Sequence, residues 1–412
     1  MATIRPFKAI RPRKDVASRV AALPYDVYNR EEALEEIKRE PLSFLKIDRP
    51  ETQFDEEQDP YAPEVYKKAA QMLQEMRDKG ILIQEKKPCY YVYQQTWQGR
   101  SQTGLVGCAA IDDYLQNIIK KHEKTRVEKE LDRINHVYTC NAQTGPIFLA
   151  YRSQEEINKI INKAKERDPL YDFVAPDGVG HTVWIIDDDA DIESLYNLFQ
   201  GIKSIYIADG HHRTASAVKV GLKRRNENLA HTGEEEFNFF LSVLFPHDQL
   251  KILDYNRVVK DLNGYNKSEF LAEVSKSFLV EEVGTKPYKP SEKGTFGLYL
   301  DGLWYKLVAK EEIKSSDPVE SLDVSILQNY LLTPILNIKD PRTDNRIDFV
   351  GGIRGLEELE RRVNTDMQLA FSMYPTTIEE LFAVSDANQL MPPKSTWFEP
   401  KLRSGLFIHD LE

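Results

Sequence analysis

One short stretch, Lys203–Val220, constrains the fold of this chain more than any other. Ile205 and Ile207 alternate with Tyr206 and Ala208, which is the pattern of a short strand with one buried face. An Asp-Gly pair then ends the strand, and apolar residues recur at helical spacing at positions 215, 218 and 222. The sequence therefore predicts a strand, a tight turn and a helix. In open α/β sheets this corner is where ligands bind.

The turn at positions 209–214 concentrates polar chemistry in six consecutive residues: Asp209, Gly210, His211, His212, Arg213 and Thr214. A helix start offers unpaired N–H groups and a partial positive charge, which suit a phosphate. Arg213 would add a planar donor fork, and Gly210 would let the backbone turn or approach a ligand. Asp209 could hold a metal ion, or it could simply cap the helix, since Asp-Gly is a common turn. Adjacent helical side chains diverge by about 100°, so the two histidines do not readily chelate one ion.

Composition narrows the class of protein. The net charge of −11 argues against nonspecific nucleic-acid binding, which depends on neutralising phosphates. The chain has no apolar run of about 18 residues, so we expect no membrane span. Three scattered cysteines without a CxxC pair fit a reducing cytoplasm. With 412 residues the chain can hold more than one domain, and we predict a boundary that separates residues 1–262 from 263–412.

Two further segments carry candidate site residues. Positions 118–135 are dense in charges of both signs, which is typical of a solvated helix. Within them, His122-Glu123 sits among basic residues, so Lys121 could bind phosphate and Glu123 could act as a general base. The proline-rich tail, residues 391–401, presents Lys394 as another phosphate ligand and could cover the site.

Hairpin patterns occur beside the strand–turn–helix unit. The clearest covers residues 295–308 around Asp301-Gly302, and a second covers residues 89–111, with a connection predicted at 98–101. Because both kinds of unit occur, the sequence predicts an α/β or α+β fold. We expect a mixed sheet that carries the phosphate site, with an additional hairpin-containing lobe.

Four ordered motifs then identify a resemblance. They are PYDV at 24–27, KHEKT at 121–125, ADGHHR at 208–213 and MPPKSTWFEPK at 391–401. Together they resemble a prokaryotic family catalogued as a domain of unknown function. The turn is also similar to that of free-serine kinases in the superfamily of ParB and sulfiredoxin. That similarity implies a required aspartate at Asp209, a phosphate-binding arginine at Arg213, a glutamate that activates the substrate hydroxyl, and Mg²⁺ with ATP or ADP as cofactors.

These observations lead to three hypotheses. The first is a cytoplasmic kinase that transfers a phosphoryl group from a nucleotide to a hydroxyl of free serine or a similar metabolite. Its catalytic residues would be Glu123, Asp209 and His211, and the phosphate would lie against Gly210, His212, Arg213, Thr214, Lys121 and Lys394. The alternative is a ParB-like nucleotide-binding switch without metabolite kinase activity. A third is a metal-dependent hydrolase that uses the three histidines at 122, 211 and 212. The sequence does not specify the oligomeric state.

Overall fold

A computed structural model describes all of residues 1–412. The chain forms two compact units. The first unit consists of residues 1–250 and 400–412, and the second consists of residues 251–399. The division into residues 1–262 and 263–412 that the sequence suggests stays a prediction.

The first unit contains thirteen of the strands and nine of the α-helices. Its strands are β1 (Ile4–Arg5), β2 (Ile10–Pro12), β3 (Leu82–Gln84), β4 (Tyr90–Trp97), β5 (Arg100–Ala110), β6 (Ile119–Lys120), β7 (Ala142–Gln143), β8 (Ile147–Tyr151), β9 (Tyr171–Val174), β10 (Gly180–Ile186), β11 (Ile205–Asp209), β12 (Phe239–Pro246) and, near the carboxyl terminus, β21 (His409–Asp410). Its helices are α1 (Ala17–Val20), α2 (Arg30–Arg39), α3 (Leu45–Asp48), α4 (Pro63–Asp78), α5 (Ile111–Leu115), α6 (Val127–Cys140), α7 (Glu155–Lys165), α8 (Asp189–Gln200) and α9 (His211–Glu227). One-turn 3-10 helices lie at Tyr25–Val27, Pro50–Gln53, Glu236–Asn238 and His247–Gln249.

A nine-stranded mixed sheet organises the first unit. Its order is β6-β11-β8-β12-β5-β4-β10-β9, and β1 pairs separately with β5. The β6–β11 and β8–β12 pairs are parallel, whereas all other neighbours are antiparallel. The predicted mixed α/β architecture is therefore confirmed.

Two apolar clusters hold this unit together. The larger one packs sheet residues such as Leu149 and Ile207 against Ile157 of α7, Leu195 of α8 and Val218 of α9. The smaller one joins α3 and α4 to the end of the chain, through residues such as Leu45, Met72 and Ile408. Burial of such side chains contributes roughly 1.5–3 kcal/mol each, so these clusters fix where α9 and α3 lie.

Turn chemistry explains the β4–β5 hairpin and corrects one prediction. The strands are joined by two residues, Gln98 at φ 50° and Gly99 at φ 75°, rather than by the predicted stretch 98–101. Two consecutive residues in the left-handed region match the right-handed twist of paired strands. Arg100 and Ser101 consequently belong to the β5 ladder, opposite Trp97 and Thr96.

The secondary structure of the charged run at 118–135 also differs from the predicted helix. Residues 119–120 form β6, and the helix begins only at Val127. The segment 121–126 between them has no regular secondary structure. Ile119 is buried, and residues 119–120 pair with Ile205 and Tyr206 of β11, so the start of the run belongs to the main sheet and not to a helix.

The second unit has strands β13 (Ile252–Leu253), β14 (Tyr255–Val259), β15 (Phe278–Gly284), β16 (Thr295–Leu300), β17 (Leu303–Ala309), β18 (Ile347–Gly351), β19 (Leu369–Met373) and β20 (Trp397–Phe398). Its helices are α10 (Lys267–Ser277), α11 (Asp323–Leu327), α12 (Glu357–Val363) and α13 (Ile378–Asp386), with 3-10 turns at Glu311–Ile313 and Gly352–Arg354 and a π-helical turn at Gln328–Leu332. Six strands form an antiparallel sheet in the order β15-β17-β16-β19-β14-β18. The hairpin predicted around Asp301-Gly302 is the β16–β17 pair. None of the helices in either unit combines the length and apolar character that crossing a lipid bilayer requires.

Candidate functional site

Sheet topology brings three separate segments to one edge of the main sheet. Strands β6 and β11 run parallel, so their carboxyl ends lie at the same edge. Strand β8 runs antiparallel to β11, so its amino end lies there too. The residues after β6 (121–123), the turn after β11 (209–214) and the loop before β8 (144–146) therefore meet. This is the edge at which open sheets bind ligands.

Gly210 shapes the turn at 209–214. Its φ of 95° and ψ of 32° lie in the left-handed region, which glycine adopts without steric cost. The N–H and the hydroxyl of Thr214 both donate to the carbonyl of Gly210, at 2.9 and 3.0 Å, and so start α9. A methyl group at position 210 would lie 3.2 Å from Nε of Arg213. The glycine therefore lets the guanidinium lie directly against the turn.

Asp209 is held between two donors. Its Oδ1 accepts the N–H of Gly210 at 2.8 Å, and its Oδ2 lies 2.9 Å from Nζ of Lys401. Burial alone would raise the pKa of this carboxyl, but the charges of Lys401 and Arg213 outweigh it and lower the pKa below its usual range. The side chain is still about a third exposed, at 32%. A carboxylate kept ionised and open to solvent can contact a ligand.

Arg213 points back from the helix across the turn. Its Nη1 donates to the carbonyl of Pro146, just before β8, at 2.7 Å. The same guanidinium lies beside Gly210 and lines a cavity together with Tyr25 and Ser404. One hydrogen bond to a carbonyl leaves other N–H groups of the planar fork to meet an anion.

His122 and His211 form a buried pair. Their rings meet edge to face with centroids 4.4 Å apart, and the N–H of His122 donates to Nε2 of His211 at 3.4 Å. Burial lowers the pKa of His122 to about 4 and lowers that of His211 well below its usual value. Both rings are therefore neutral at pH 7. Glu123 lies at the mouth of this pair, with Oε2 3.8 Å from Nδ1 of His211 and 41% of its side chain exposed.

His212 faces a different segment, as the divergence of adjacent helical side chains predicts. Its Nε2 accepts the N–H of Arg126 at 3.0 Å, and burial is the main cause that lowers its pKa. His212 therefore anchors the 121–126 segment to the start of α9.

No group of three His, Cys, Asp or Glu side chains in the chain is arranged to hold a metal ion.

The structure brings most of the predicted site residues together. Glu123, Asp209, Gly210, His211, Arg213 and Thr214 line the same edge, as described above. Lys121 is exposed, with Nζ 5.4 Å from the ring centre of Tyr114, and its charge contributes to the lowered pKa of His211. Lys394 belongs to the second unit, where its Nζ lies 5.7 Å from the ring centre of Tyr255.

Sequence reasoning did not single out Lys401 or Asp48 as site residues. Lys401 ends the same tail motif that contains Lys394 and is the lysine of that motif that contacts Asp209, whereas Lys394 stays a predicted phosphate ligand. Asp48 lies at the end of α3 and lines the cavity with Arg213. Its segment, 41–50, has no pattern that distinguishes it from other surface turns, and its burial became visible only with the fold.

Comparison with known proteins places the chain in a family. A family model described as "Protein of unknown function (DUF1015)" matches residues 4–325. The chain therefore belongs to this family, and the family predicted from the four motifs is confirmed. No curated protein matches the chain at a significant level.

Solved structures give distant likenesses. One is a mutant free serine kinase in complex with AMP, at 15% identity and a TM-score of 0.36, covering 72% of this chain and 87% of that chain. Another is a conserved hypothetical protein from Pyrococcus furiosus, at 15% identity and a TM-score of 0.35, covering 73% and 93%. A third is SbnI with a C-terminal truncation from Staphylococcus aureus, at 9% identity and a TM-score of 0.39, covering 71% and 82%. At these values the likeness carries no information about activity.

Proposed function

We propose that the protein is a small-molecule kinase that transfers a phosphoryl group from a nucleotide to a hydroxyl of free serine or a similar metabolite. The observation that carries this proposal is the arrangement at the start of α9. An ionised Asp209 lies between Lys401 and the first turn, and the guanidinium of Arg213 lies against Gly210. Phosphoryl transfer needs mainly correct positioning of the reactants and neutralisation of phosphate charge. The hydrogen-bond donors at this edge can position a phosphate, and the side chains of Lys401 and Arg213 can neutralise its charge.

The donor phosphate would lie against the first turn of α9. The amides of residues 211–213 have no acceptor within the helix, because the first four N–H groups of any helix lack one. These free amides, together with the partial positive charge at the helix start, favour a bound anion at this position. Arg213 would grip two phosphate oxygens, while the exposed Lys121 and the basic segment around it would attract the nucleotide. His212 and Thr214 would hold the turn in place, and Lys394 remains a predicted ligand.

The acceptor hydroxyl would lose its proton to Glu123. Glu123 is accessible. Neutral His211 accepts the N–H of His122 at Nε2, so its other ring nitrogen, Nδ1, carries the proton and faces the carboxylate of Glu123. The new bond would join the hydroxyl oxygen to the terminal phosphorus, while the bond from that phosphorus to the bridging oxygen breaks. The nucleotide would leave one phosphate shorter, and Asp209 would orient the acceptor through its exposed edge. Correct placement of such a general base raises the reaction rate roughly 10²–10⁴-fold.

Magnesium fits this site only as a companion of the nucleotide. Both carboxylate oxygens of Asp209 are already in contact with donors, and no three-residue cluster of metal ligands exists. Mg²⁺ usually keeps several waters and binds through phosphates with one or two carboxylates, so Glu123 or Asp209 would suffice. When bound, the ion would neutralise phosphate charge.

The buried cysteines at 89, 108 and 140 form no disulfide, in keeping with the cytoplasmic location that we propose.

The test is direct. The purified chain is incubated with Mg²⁺, L-serine and either ATP or ADP, and phosphoserine is measured by mass spectrometry. We expect phosphoserine with one of the two nucleotides and none with the Arg213→Ala variant. Nucleotide binding by both proteins without any phosphorylated amino acid would favour a nucleotide-binding switch instead.

A further inference from the structure

Arg213 lines a small cavity. Its volume is about 30 Å³, which is room for one or two waters or for the end group of a small molecule. The lining includes Tyr25, Asp48, Thr144 and Arg213. Arg213 thus contacts the turn at 209–214 and also lines the cavity. A molecule whose hydroxyl lies at the turn could therefore extend another group into this cavity.

Asp48 is the unusual member of the lining. The residue is only 2% exposed. Its Oδ1 accepts the hydroxyl of Thr144 at 2.8 Å, and its Oδ2 has no hydrogen-bond partner in the chain. No lysine, arginine or histidine nitrogen forms an ion pair with this carboxylate. A buried charge is costly unless it is paired, so an unpaired carboxylate in the wall of a cavity indicates a cationic ligand.

The neighbouring cations direct their hydrogen bonds to other groups than the carboxylate of Asp48. Arg133 directs Nε and Nη2 to Oδ2 of Asp132, at 3.0 and 2.9 Å, and its guanidinium lies 4.1 Å from the ring centre of Tyr25. It reaches Asp48 only at the main-chain oxygen, at 3.4 Å. His136 also lines the cavity, but burial lowers its pKa and its Nε2 contacts the carbonyl of Ile47. Asp48 therefore forms no ion pair, although its charge contributes to the raised pKa of Arg133 and Arg213 lines the same cavity.

We infer that the cavity is an ammonium subsite, in which Asp48 binds the primary amine of the acceptor molecule. This inference rests on the proposed function and makes it more specific. Acceptors would be hydroxyl compounds that carry an ammonium group, such as an amino acid or an amino alcohol. Neutral sugars and hydroxy acids would be excluded, because they leave the Asp48 carboxylate unpaired.

Three small molecules separate the contributions of the functional groups. L-serine has a hydroxyl, an ammonium and a carboxylate; ethanolamine lacks the carboxylate; L-glycerate has a second hydroxyl in place of the ammonium, with the same configuration. Binding to the full chain is measured by calorimetry, with and without ADP, so that the result does not depend on turnover. We expect L-serine and ethanolamine to bind, and L-glycerate to bind at least about tenfold more weakly than L-serine.

The decisive variant is Asp48→Asn. Asparagine has nearly the same shape and keeps an oxygen that can accept the hydroxyl of Thr144, so the fold is expected to survive, which thermal unfolding checks. Binding of L-serine and ethanolamine should weaken about tenfold or more, while ADP binding stays unchanged. The matched control is Asp55→Asn, which removes the same charge from an exposed residue in the following loop and should change neither. If Asp48→Asn does not fold, discrimination between L-serine and L-glycerate by the natural chain remains as the test.

Failure of the subsite and failure of the kinase proposal give different results. Equal binding of L-glycerate and L-serine, or unchanged L-serine binding in folded Asp48→Asn, overturns the subsite even if phosphate is transferred. Absence of L-serine and ethanolamine binding at millimolar concentration overturns it as well. Binding of both amines that is lost in Asp48→Asn, without any phosphorylated product, supports the subsite and counts against the kinase.

Discussion

The ammonium group of Lys401 lies 2.9 Å from Oδ2 of Asp209, although 192 positions separate the two residues in the chain. The ion pair ties the final segment of the first unit, residues 400–412, to the turn at the start of α9. Neighbouring contacts reinforce the tie. The carbonyl of Lys401 accepts a hydrogen bond from Gln95 at 2.8 Å, and Arg403 donates to Nε2 of His181 at 3.1 Å.

Replacement of Lys401 should impair the reaction more than it impairs the fold. In Lys401→Gln, Asp209 loses its charged partner, so the orientation of the carboxylate relaxes and its negative charge opposes the incoming phosphate. We expect kcat/KM for phosphoserine formation to fall about tenfold or more. Steady-state kinetics with varied nucleotide measure this effect.

Lys401→Arg is the control for charge, and it should retain more activity than Lys401→Gln. Lys394→Gln tests the lysine predicted from the sequence in the same assay. Equal losses in Lys401→Gln and Lys401→Arg would show that the ammonium geometry matters rather than the charge. Full activity in Lys401→Gln would contradict the role given to this ion pair.

Gly210→Ala should weaken both stability and anion binding. Its φ of 95° is strained for any residue with a Cβ, and the new methyl group would lie 3.2–3.4 Å from the guanidinium of Arg213. We expect a loss of about 1–2 kcal/mol in the free energy of unfolding, together with weaker ADP binding. Urea denaturation and calorimetry measure the two effects separately.

Gly80→Ala is matched to this variant. Gly80 also has a positive φ, 63°, but a Cβ there would meet nothing within 4 Å. It should lower stability to a similar degree and leave ADP binding unchanged. If both variants bind ADP as well as the natural chain does, Arg213 is not the anion ligand that we propose.

Glu123→Gln should reduce catalysis without reducing nucleotide affinity. The amide keeps the shape of the side chain but cannot accept the hydroxyl proton, so kcat should fall roughly 10²–10⁴-fold. ADP binding should be unchanged. Glu128→Gln, at an exposed position in the first turn of α6, is the control and should behave like the natural chain. A normal kcat in Glu123→Gln would assign the proton transfer to another group.

Stability should decrease as the pH falls from 7 to 5. Burial lowers the pKa of His122 to about 4 and that of His181 to about 3, whereas both titrate near 6.5 once unfolded. Over this range the unfolded chain gains protons that the folded chain does not, so the free energy of unfolding falls. Each histidine contributes roughly 2 kcal/mol of this loss between pH 6.5 and 5.

Urea denaturation at pH 7, 6 and 5 measures the slope, and His122→Asn should flatten it by about one proton. An unchanged slope in that variant would mean that His122 is already protonated in the fold. Asp209 acts in a separate, lower window, because its pKa is lowered in the fold. Its contribution is complete above about pH 4, the usual range of an aspartate, and is lost as the pH falls further.

Local pattern was sufficient for several elements of this protein. The strand, turn and helix at 205–222 and the hairpin around Asp301-Gly302 were predicted from residues close together in the chain. Each depends on short-range physics: alternation of apolar residues or a left-handed turn. The helix expected over the charged run at 118–135 was wrong at its start, because residues 119–120 pair with β11 in the main sheet.

The sequence by itself thus determined the family, the mixed α/β architecture and the strand, turn and helix at 205–222. Only the tertiary structure decided which distant residues meet that turn. Lys401 reaches Asp209, β6 places His122 and Glu123 beside His211, and Asp48 lies unpaired in the wall that Arg213 shares. Such contacts arise from strand pairing and burial between segments far apart in the chain, and those long-range interactions leave no periodic signal in the residues themselves.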